Sequence, residues 1–262
     1  MKINLLSDFI DFARKGQPDI ATFIYRAQPD KRRTVDGDVY DAILVPSIFR
    51  QHRPSSITLA ELEHQMIRDF QREAHAWLTA TPSSEIEWMA LAQHHGIPTR
   101  LLDWTTNPLV SLFFAVENTN TEFDARIHRG KIYDFQIYDY DNVDEQDTKY
   151  FDQEIGPFRF YMPTYTDRRL AAQSSCFTLH PQMEFYQKIQ YDHHFTKVLP
   201  EELAVTSCVI PKARFGAIKA ELYELGVSYK TLFPGLDGLG KSITYGCTAQ
   251  RELIREPFPP RQ

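Results

Sequence analysis

Apolar side chains recur along this chain with helical and strand periods, and the changes of period divide it into elements. In MKINLLSDFIDFARKG, the residues Leu5, Phe9, Ile10, Phe12 and Ala13 fit an amphipathic helix over residues 4–16, ended by Gly16. Asp8, Asp11 and Arg14 interrupt the apolar run, which the core of a secretion signal does not tolerate. Ile20–Gln28, rich in branched and aromatic residues, predicts a β-strand. Lys31–Asp41 is polar and predicts a loop. Ala42–Phe49 predicts a short strand leading into a turn, and Pro46 confines it to an edge or an end. Thr58 and Glu61 form a capping box before a long helix over Leu59–Leu78. Its apolar stripe is Leu59, Leu62, Met66, Phe70, Ala74 and Trp77.

Ile86, Met89, Ala90 and Ala92, with Trp88, suit the buried face of the next helix. Asn107 and Pro108 supply the cap and first position of another, which carries Leu109, Leu112, Phe113 and Val116 inward. Between these two helices lie Gln93, His94, His95, Thr99, Arg100, Asp103, Trp104 and Thr105. They are expected on a short connector, where a rigid scaffold tends to present binding or catalytic groups. Further on, Lys131–Ile137 alternates as a strand and Tyr138–Asp152 reads as an acidic, tyrosine-rich surface loop. Phe158–Met162 predicts a strand, Arg169–Thr178 a helix end passing into a strand, and Leu203–Ile210 a strand. Lys212–Leu225 predicts an amphipathic helix stopped by Gly226, and Pro234 opens a final helix with Leu236 and Leu239 facing inward. The proline-rich tail from Pro257 is expected to fray. The expected fold is α+β, a mixed and mainly antiparallel sheet flanked by helices.

Composition narrows this picture. A chain of 262 residues with 42% hydrophobic content fills one good-sized core, and no linker, repeat or low-complexity run divides it. One domain over residues 1–262 is the expectation. The net charge of -6 argues against broad binding along a nucleic-acid backbone, while a local basic pocket stays open. Cys176, Cys208 and Cys247 are odd in number and widely spaced, which suits buried thiols in a reducing cytoplasm. No segment approaches the apolar length of a membrane span, so a cytoplasmic protein without a membrane partner is expected.

No metal is expected. His94 and His95 are adjacent and diverge on a helix, whereas helical ligand pairs sit three or four apart. Asp139, Asp141, Asp144, Glu145 and Asp147 have neither Ca²⁺-loop spacing nor the look of a catalytic dyad. A GxSxG nucleophile motif is absent. Arg26, at a strand end, is suited to anchoring phosphate or carboxylate, or else pairs with Asp30 or Asp36. His95 suits a proton carrier or a donor to a ribose or phosphate. Arg100 and Asp103 either act on a ligand or pair to fix the connector. Trp104 either stacks a flat ring or plugs the core. Gln173, sharing a helix face with Arg169, either reads an amide or base edge or ties down a loop backbone. His64 and His75 read as solvated or partly packed helix positions.

The stretch QHHGIPTRLLDWTTNP, followed by SLFFA, closely resembles the signature of the FRG domain family, QHxGxPTRLLDWT, then NP, then an aromatic helix ending FA. Tyr25-Arg26-Ala27-Gln28 resembles the family's F/Y-R-G-Q, with Ala27 standing at its Gly. LVPSIFR resembles LxPSxFR, and RLAAQSSCFT resembles RxxAQxGxFT with Ser175 at the Gly. TLFPGLDGL resembles the closing TLFPxLDGL, so the motif core runs over 23–240 and leaves 241–262 as an extension. The resemblance implies a bacterial toxin-like or antiphage-defence effector, with an antitoxin or a phage protein as partner. The order of an early strand Arg, a His–Arg–Asp stretch and a later Gln is loosely similar to ADP-ribosyltransferase-like folds. It implies an enzyme using NAD or another small nucleotide as substrate, by ADP-ribosyl transfer or NAD cleavage. Arg26 or Arg100 would hold the pyrophosphate, His95 a ribose hydroxyl, and Tyr25 or Trp104 the nicotinamide. Asp103, with Glu252 in reserve, would stabilise the cationic sugar by electrostatics. The expected catalytic set is therefore His95, Arg100 and Asp103, with Arg26, Gln28, His94, Thr99, Trp104 and Gln173 binding substrate. A clear Q/E-x-E motif is absent. The alternatives are a non-catalytic sensor of a nucleotide or protein, and a nuclease, for which metal-binding carboxylates do not assemble.

Overall fold

The computed structural model describes residues 1–16, 21–31, 33–35, 38–40, 44, 46–51, 56–78, 80–133, 137–138, 159–163, 168–180 and 204–253. Seven strands form one sheet: β1 (Ala21–Pro29), β4 (Leu101–Thr105), β5 (Ala125–Tyr133), β6 (Ile137–Tyr138), β7 (Arg159–Tyr161), β8 (Ser175–Leu179) and β9 (Ala204–Ile210). Their order is β6-β7-β8-β4-β1-β5-β9, with β6–β7 parallel and the other pairs antiparallel. The sheet is thus mixed and mainly antiparallel. The segment expected as a polar loop carries a separate antiparallel pair, β2 (Arg33–Val35) and β3 (Asp38–Tyr40).

Helices α1 (Leu6–Arg14), α4 (Pro108–Val116) and α6 (Phe215–Glu224) pack on one face of the sheet around Phe9, Tyr25, Phe113, Ile127 and Phe215. Helices α2 (Leu59–Ala74) and α3 (Glu85–His94) lie on that same face beside them, around Ile67, Met89, Leu101 and Phe177. The register makes this one face, because Tyr25 pairs Thr105 and Asp103 pairs Phe177, so alternate residues of β4 follow Tyr25. Ile24, Leu102, Trp104 and Cys176 point the other way and form a third cluster. The short helices α5 (Arg168–Ala172) and α7 (Tyr229–Leu232) and the long α8 (Leu236–Leu253) complete the described chain.

Local signals hold where they satisfy backbone groups directly. Thr58 and Glu61 form the reciprocal capping box of α2, and Asn107 caps α4 with Pro108 behind it. Several expectations are corrected. Leu101–Thr105 is a strand inside the sheet, not a connector, because its apolar residues fill two cores at once. β5 begins at Ala125, six residues before the expected Lys131. In α1 the buried residues are Leu6, Phe9, Phe12 and Ala13, so Leu5 and Ile10 face solvent. In α2 the buried stripe is Leu59, Glu63, Ile67 and Ala74. Trp77 is 87% exposed past the helix end. Leu236 and Leu239 of α8 are exposed. Ser47–Arg50 is a 3₁₀ turn where a strand end was expected, and Ala42, Ile43 and Val45 lie outside the described residues. The acidic segment after Tyr138 and the tail from Pro257 also lie outside them.

Candidate functional site

The ladder between β1 and β4 consists of the single pair Tyr25↔Thr105, whereas β1 is paired along its whole length with β5 and β4 with β8. Beyond that pair, Arg26–Pro29 and Leu101–Trp104 face each other as strand edges with no ladder between them. A cavity of about 430 Å³ lies at this opening, within the size range of small-molecule sites. Its walls are Tyr25–Pro29 of β1, Asp103–Thr105 of β4, and Ser175 and Phe177 of β8. Ala90, Gln93 and His94 of α3, Ser111 and Phe114 of α4, and Arg169, Leu170 and Gln173 beside α5 close it.

The motif residues build this place by filling each other's backbone needs. Gly96 has φ 91° and ends α3, with Gly96 N–H donating to Gln93 O and Ile97 N–H to Ala92 O. That is the double bond of a Schellman end, which favours glycine. Thr99, completely buried, is pinned by Ser47 Oγ and by the Ile48 N–H, and its hydroxyl meets Gln93 Oε1. The PSIFR segment therefore braces the QHHGIPTR segment. At the other end of β4, Thr105 Oγ1 donates to Gln173 O at 2.6 Å and accepts from Asn107 N–H at 3.0 Å.

Arg100 is 3% exposed and its side chain pairs with Glu63 at 2.7 Å, while its N–H donates to Glu63 Oε1 at 2.6 Å. Burial pushes the Glu63 carboxyl up, against the downward pull of Arg100. Arg100 thus pairs with Glu63 and not with Asp103, and it does not line the cavity. Neither do Thr99, beneath the wall, or His95, exposed at the end of α3 against Phe70. The structure does bring together Arg26, Gln28, His94, Asp103, Trp104 and Gln173 around one space. Trp104 meets the cavity at its edge, but its ring is buried and Nε1 donates to Thr178 Oγ1 at 2.9 Å, which is the core plug. Glu252 falls on the last turn of α8.

Asp103 stands out on β4. It is the only exposed residue of that strand, with its side chain 58% exposed and the four others buried. Arg26, 20% exposed, donates from Nη1 to the Asp103 carbonyl at 2.7 Å and lies 3.6 Å from its carboxylate. Of the two surface partners considered from sequence, Asp30 is paired with Arg126 at 2.9 Å, and Asp36 lies outside the described residues. Ala27 needs no positive φ, so alanine serves at the family's glycine position. Behind the cavity, Gln28 Nε2 lies 3.1 Å from His128 Nε2. Burial pulls His128 down to about 4, helped by Arg126 and Arg26, so the ring is neutral. Gln28 therefore donates and His128 accepts.

The closing motif serves the same cavity. Gln173 Nε2 donates to Leu232 O at 3.0 Å, and the Arg169 guanidinium lies 4.6 Å over the Phe233 ring. A Cβ on Gly238 would meet Phe233 O at 1.9 Å, so only glycine lets α8 approach that corner. Arg169 is the wall residue the motif reading left without a role, although its four-residue spacing to Gln173 was the available signal. A misleading signal lies beside it. Gly235 to Ser242 has the spacing of a phosphate loop, but residues 236–242 are inside α8 and follow a helix, not a strand. Among the described residues no group of three or more His, Cys, Asp or Glu is placed to hold a metal, and no helix is long and apolar enough to cross a membrane.

Residues 22–124 match the FRG domain family. The chain carries an FRG domain. No curated protein and no solved structure matches it. The FRG match contains Arg26, the whole of Gln93–Thr105 and α4, while the Arg169–Phe177 wall lies C-terminal to it.

Proposed function

We propose that this FRG protein is an NAD- or nucleotide-directed enzyme, a cytoplasmic toxin-like or defence effector that cleaves the bond between nicotinamide and ribose. The observation that carries the reading is Asp103, an exposed carboxylate in the middle of an otherwise buried strand, facing a cavity beside Arg26. In the reaction the bond from ribose C1′ to the nicotinamide nitrogen breaks and its electron pair leaves with neutral nicotinamide. The oxygen of water, or of an acceptor, forms the new bond to C1′ and loses its proton. The sugar is cationic between these events, and a fixed carboxylate stabilises it. His94, on the cavity wall in place of His95, is the imidazole suited to taking the proton. Arg26, with Arg100 committed to Glu63, is left as the anion anchor on the strand side.

The test is nicotinamide release from NAD by wild type and Asp103→Asn. The expected result is release that falls in the variant by about 10²–10³-fold, the scale for losing one electrostatic stabiliser. Affinity for ADP-ribose should stay within about threefold, since a uniform binding role would instead appear as affinity. A sensor reading is favoured by one observation, the 3.6 Å contact that already ties Asp103 to Arg26. No release by the wild type, with ADP-ribose affinity altered in the variant, decides for the sensor.

A further inference from the structure

Tyr25, Trp104, Phe114 and Phe177 are the aromatic side chains of the cavity wall among the described residues, and the core already uses three of them. Tyr25 is buried and its hydroxyl donates to Ala13 O. Trp104 is the core plug, and Phe177 is buried in a stack with Tyr161. Phe114, on α4, differs from these in being partly exposed. Phe113 and Phe233 stand nearly perpendicular to it, each at 6.0 Å, and so set the plane of its ring. A ring held in this way on a cavity wall can receive a flat ligand ring, and a cationic one more strongly.

The polar groups near Phe114 are turned to accept. Ser111 stands three residues earlier on the same face of α4, and its hydroxyl gives its proton to Pro108 O at 2.7 Å. Thr105 gives its hydroxyl proton to Gln173 O at 2.6 Å. Gln173 Nε2 donates to Leu232 O at 3.0 Å, and a carbonyl only accepts, so the orientation of this side-chain amide is fixed. Its nitrogen is held at Leu232, which is not part of the wall, and Oε1 is the end left to a ligand. A ligand that meets Oε1 must bring an N–H. Thr105, to which Gln173 is tied, lies two residues past Asp103 on the same face of β4, roughly 7 Å along the strand. That spacing is comparable to the reach from a ribose carbon across a six-membered ring to its amide.

We propose that Phe114 and Gln173 form the ring subsite of this cavity, in which Phe114 stacks the nicotinamide of NAD and Gln173 Oε1 accepts from its carboxamide N–H. This rests on the NAD reading above and adds the specificity of the site, for a ring that carries an amide. Phe114 takes the place expected from sequence for Tyr25 or Trp104.

Calorimetric titration of the full chain carrying Asp103→Asn, which slows cleavage, tests it with NAD, its acetylpyridine analogue and ADP-ribose. The analogue keeps the cationic ring and the carbonyl but has a methyl group where the amide has its NH2. The Asp103→Asn chain should bind NAD about tenfold more tightly than the analogue, the scale of one hydrogen bond. Adding Gln173→Met should bring the two within about threefold, even where the lost bond to Leu232 O weakens both. Adding Phe114→Leu instead should weaken NAD about three- to tenfold and ADP-ribose, which lacks the ring, by less than about twofold. Phe114→Tyr should keep the NAD affinity, since it keeps the ring. Equal affinities for NAD and the analogue before Gln173 is changed overturn the proposal and leave the nucleotide reading standing. A preference that survives Gln173→Met, or equal losses of NAD and ADP-ribose in Phe114→Leu, does the same. A chain that binds neither NAD nor ADP-ribose overturns the nucleotide reading and the proposal with it.

Discussion

Glu63 and Arg100 form a charged contact almost wholly removed from water, 1% and 3% exposed. Such a pair gains little over a well-packed apolar substitute, but breaking it leaves one buried charge without its counterion. Glu63→Gln keeps the shape and can still accept the Arg100 N–H, so its effect isolates the charge. It should destabilise the protein by about 3–5 kcal/mol in urea unfolding. The double variant Glu63→Leu with Arg100→Met should recover most of that loss, since it replaces both charges with apolar volume. A single variant as stable as wild type would mean that the other contacts of Arg100 compensate its charge. The same contact explains why truncating Arg100 is a poor test of chemistry here: it removes the anchor of β4 to α2 rather than a group on the cavity wall. Asp103, three residues on, is the residue whose truncation leaves that anchor untouched.

At the scale of elements, the corner between α7 and α8 carries the wall formed by Arg169 and Gln173. Gly238→Ala would set a Cβ against Phe233 O and Tyr229 O, both backbone atoms that cannot rotate away. It should cost about 1–3 kcal/mol in thermal unfolding and weaken NAD binding through Leu232 and Phe233. Gly240→Ala, two residues later in the same helix with nothing within 4 Å, should instead stabilise by up to about 1 kcal/mol through helix propensity. Equal effects at the two glycines would show that the close approach is not what matters. This contrast also marks what was legible in the amino-acid pattern. Caps such as Thr58–Glu61 and Asn107–Pro108 could be read because donor and acceptor lie within a few residues of each other. β4 could not, because its strand state is set by β8, whose register partners lie some seventy residues away. The start of β5 was hidden by Arg126, His128 and Arg129, polar residues that become buried only through distant partners: Asp30 and Ser207, Gln28, and the Phe12 carbonyl. The motif residues that converge on the cavity were legible, but the separation of wall from support was not. Arg100 and Asp103 look alike in sequence, and only Glu63, 37 residues upstream of Arg100, decides that Arg100 belongs to the support.

On the scale of the whole molecule, the face of the sheet opposite the cavity holds two imidazoles that folding keeps neutral. His128 is pulled down to about 4 by burial and by Arg126 and Arg26. His180, completely buried, is pulled down to about 3 by burial and by Arg26, and its Nε2 lies 3.0 Å from Thr178 Oγ1. In the unfolded chain both take up a proton near 6.5, the ordinary value. Between 6.5 and about 4 the unfolded chain therefore binds more protons than the folded one, so stability falls as pH falls through that window. Above pH 6.5 neither imidazole contributes. The loss is about 1.4 kcal/mol per pH unit for each ring, or about 2 kcal/mol each at pH 5. Glu63, whose carboxyl is pushed up, acts in the opposite sense, because the folded state then holds its proton to higher pH. Urea midpoints at pH 7 and pH 5 should consequently differ strongly for the wild type, with destabilisation at the lower pH. Replacing both imidazoles, as His128→Gln with His180→Gln, should flatten that difference even if the variant is less stable at both values. A double variant with the wild-type difference would mean that the imidazoles are protonated in the folded protein. The guanidinium of Arg26 would then face two more cations, His128 as its register partner on β5 and His180 beyond the end of β8.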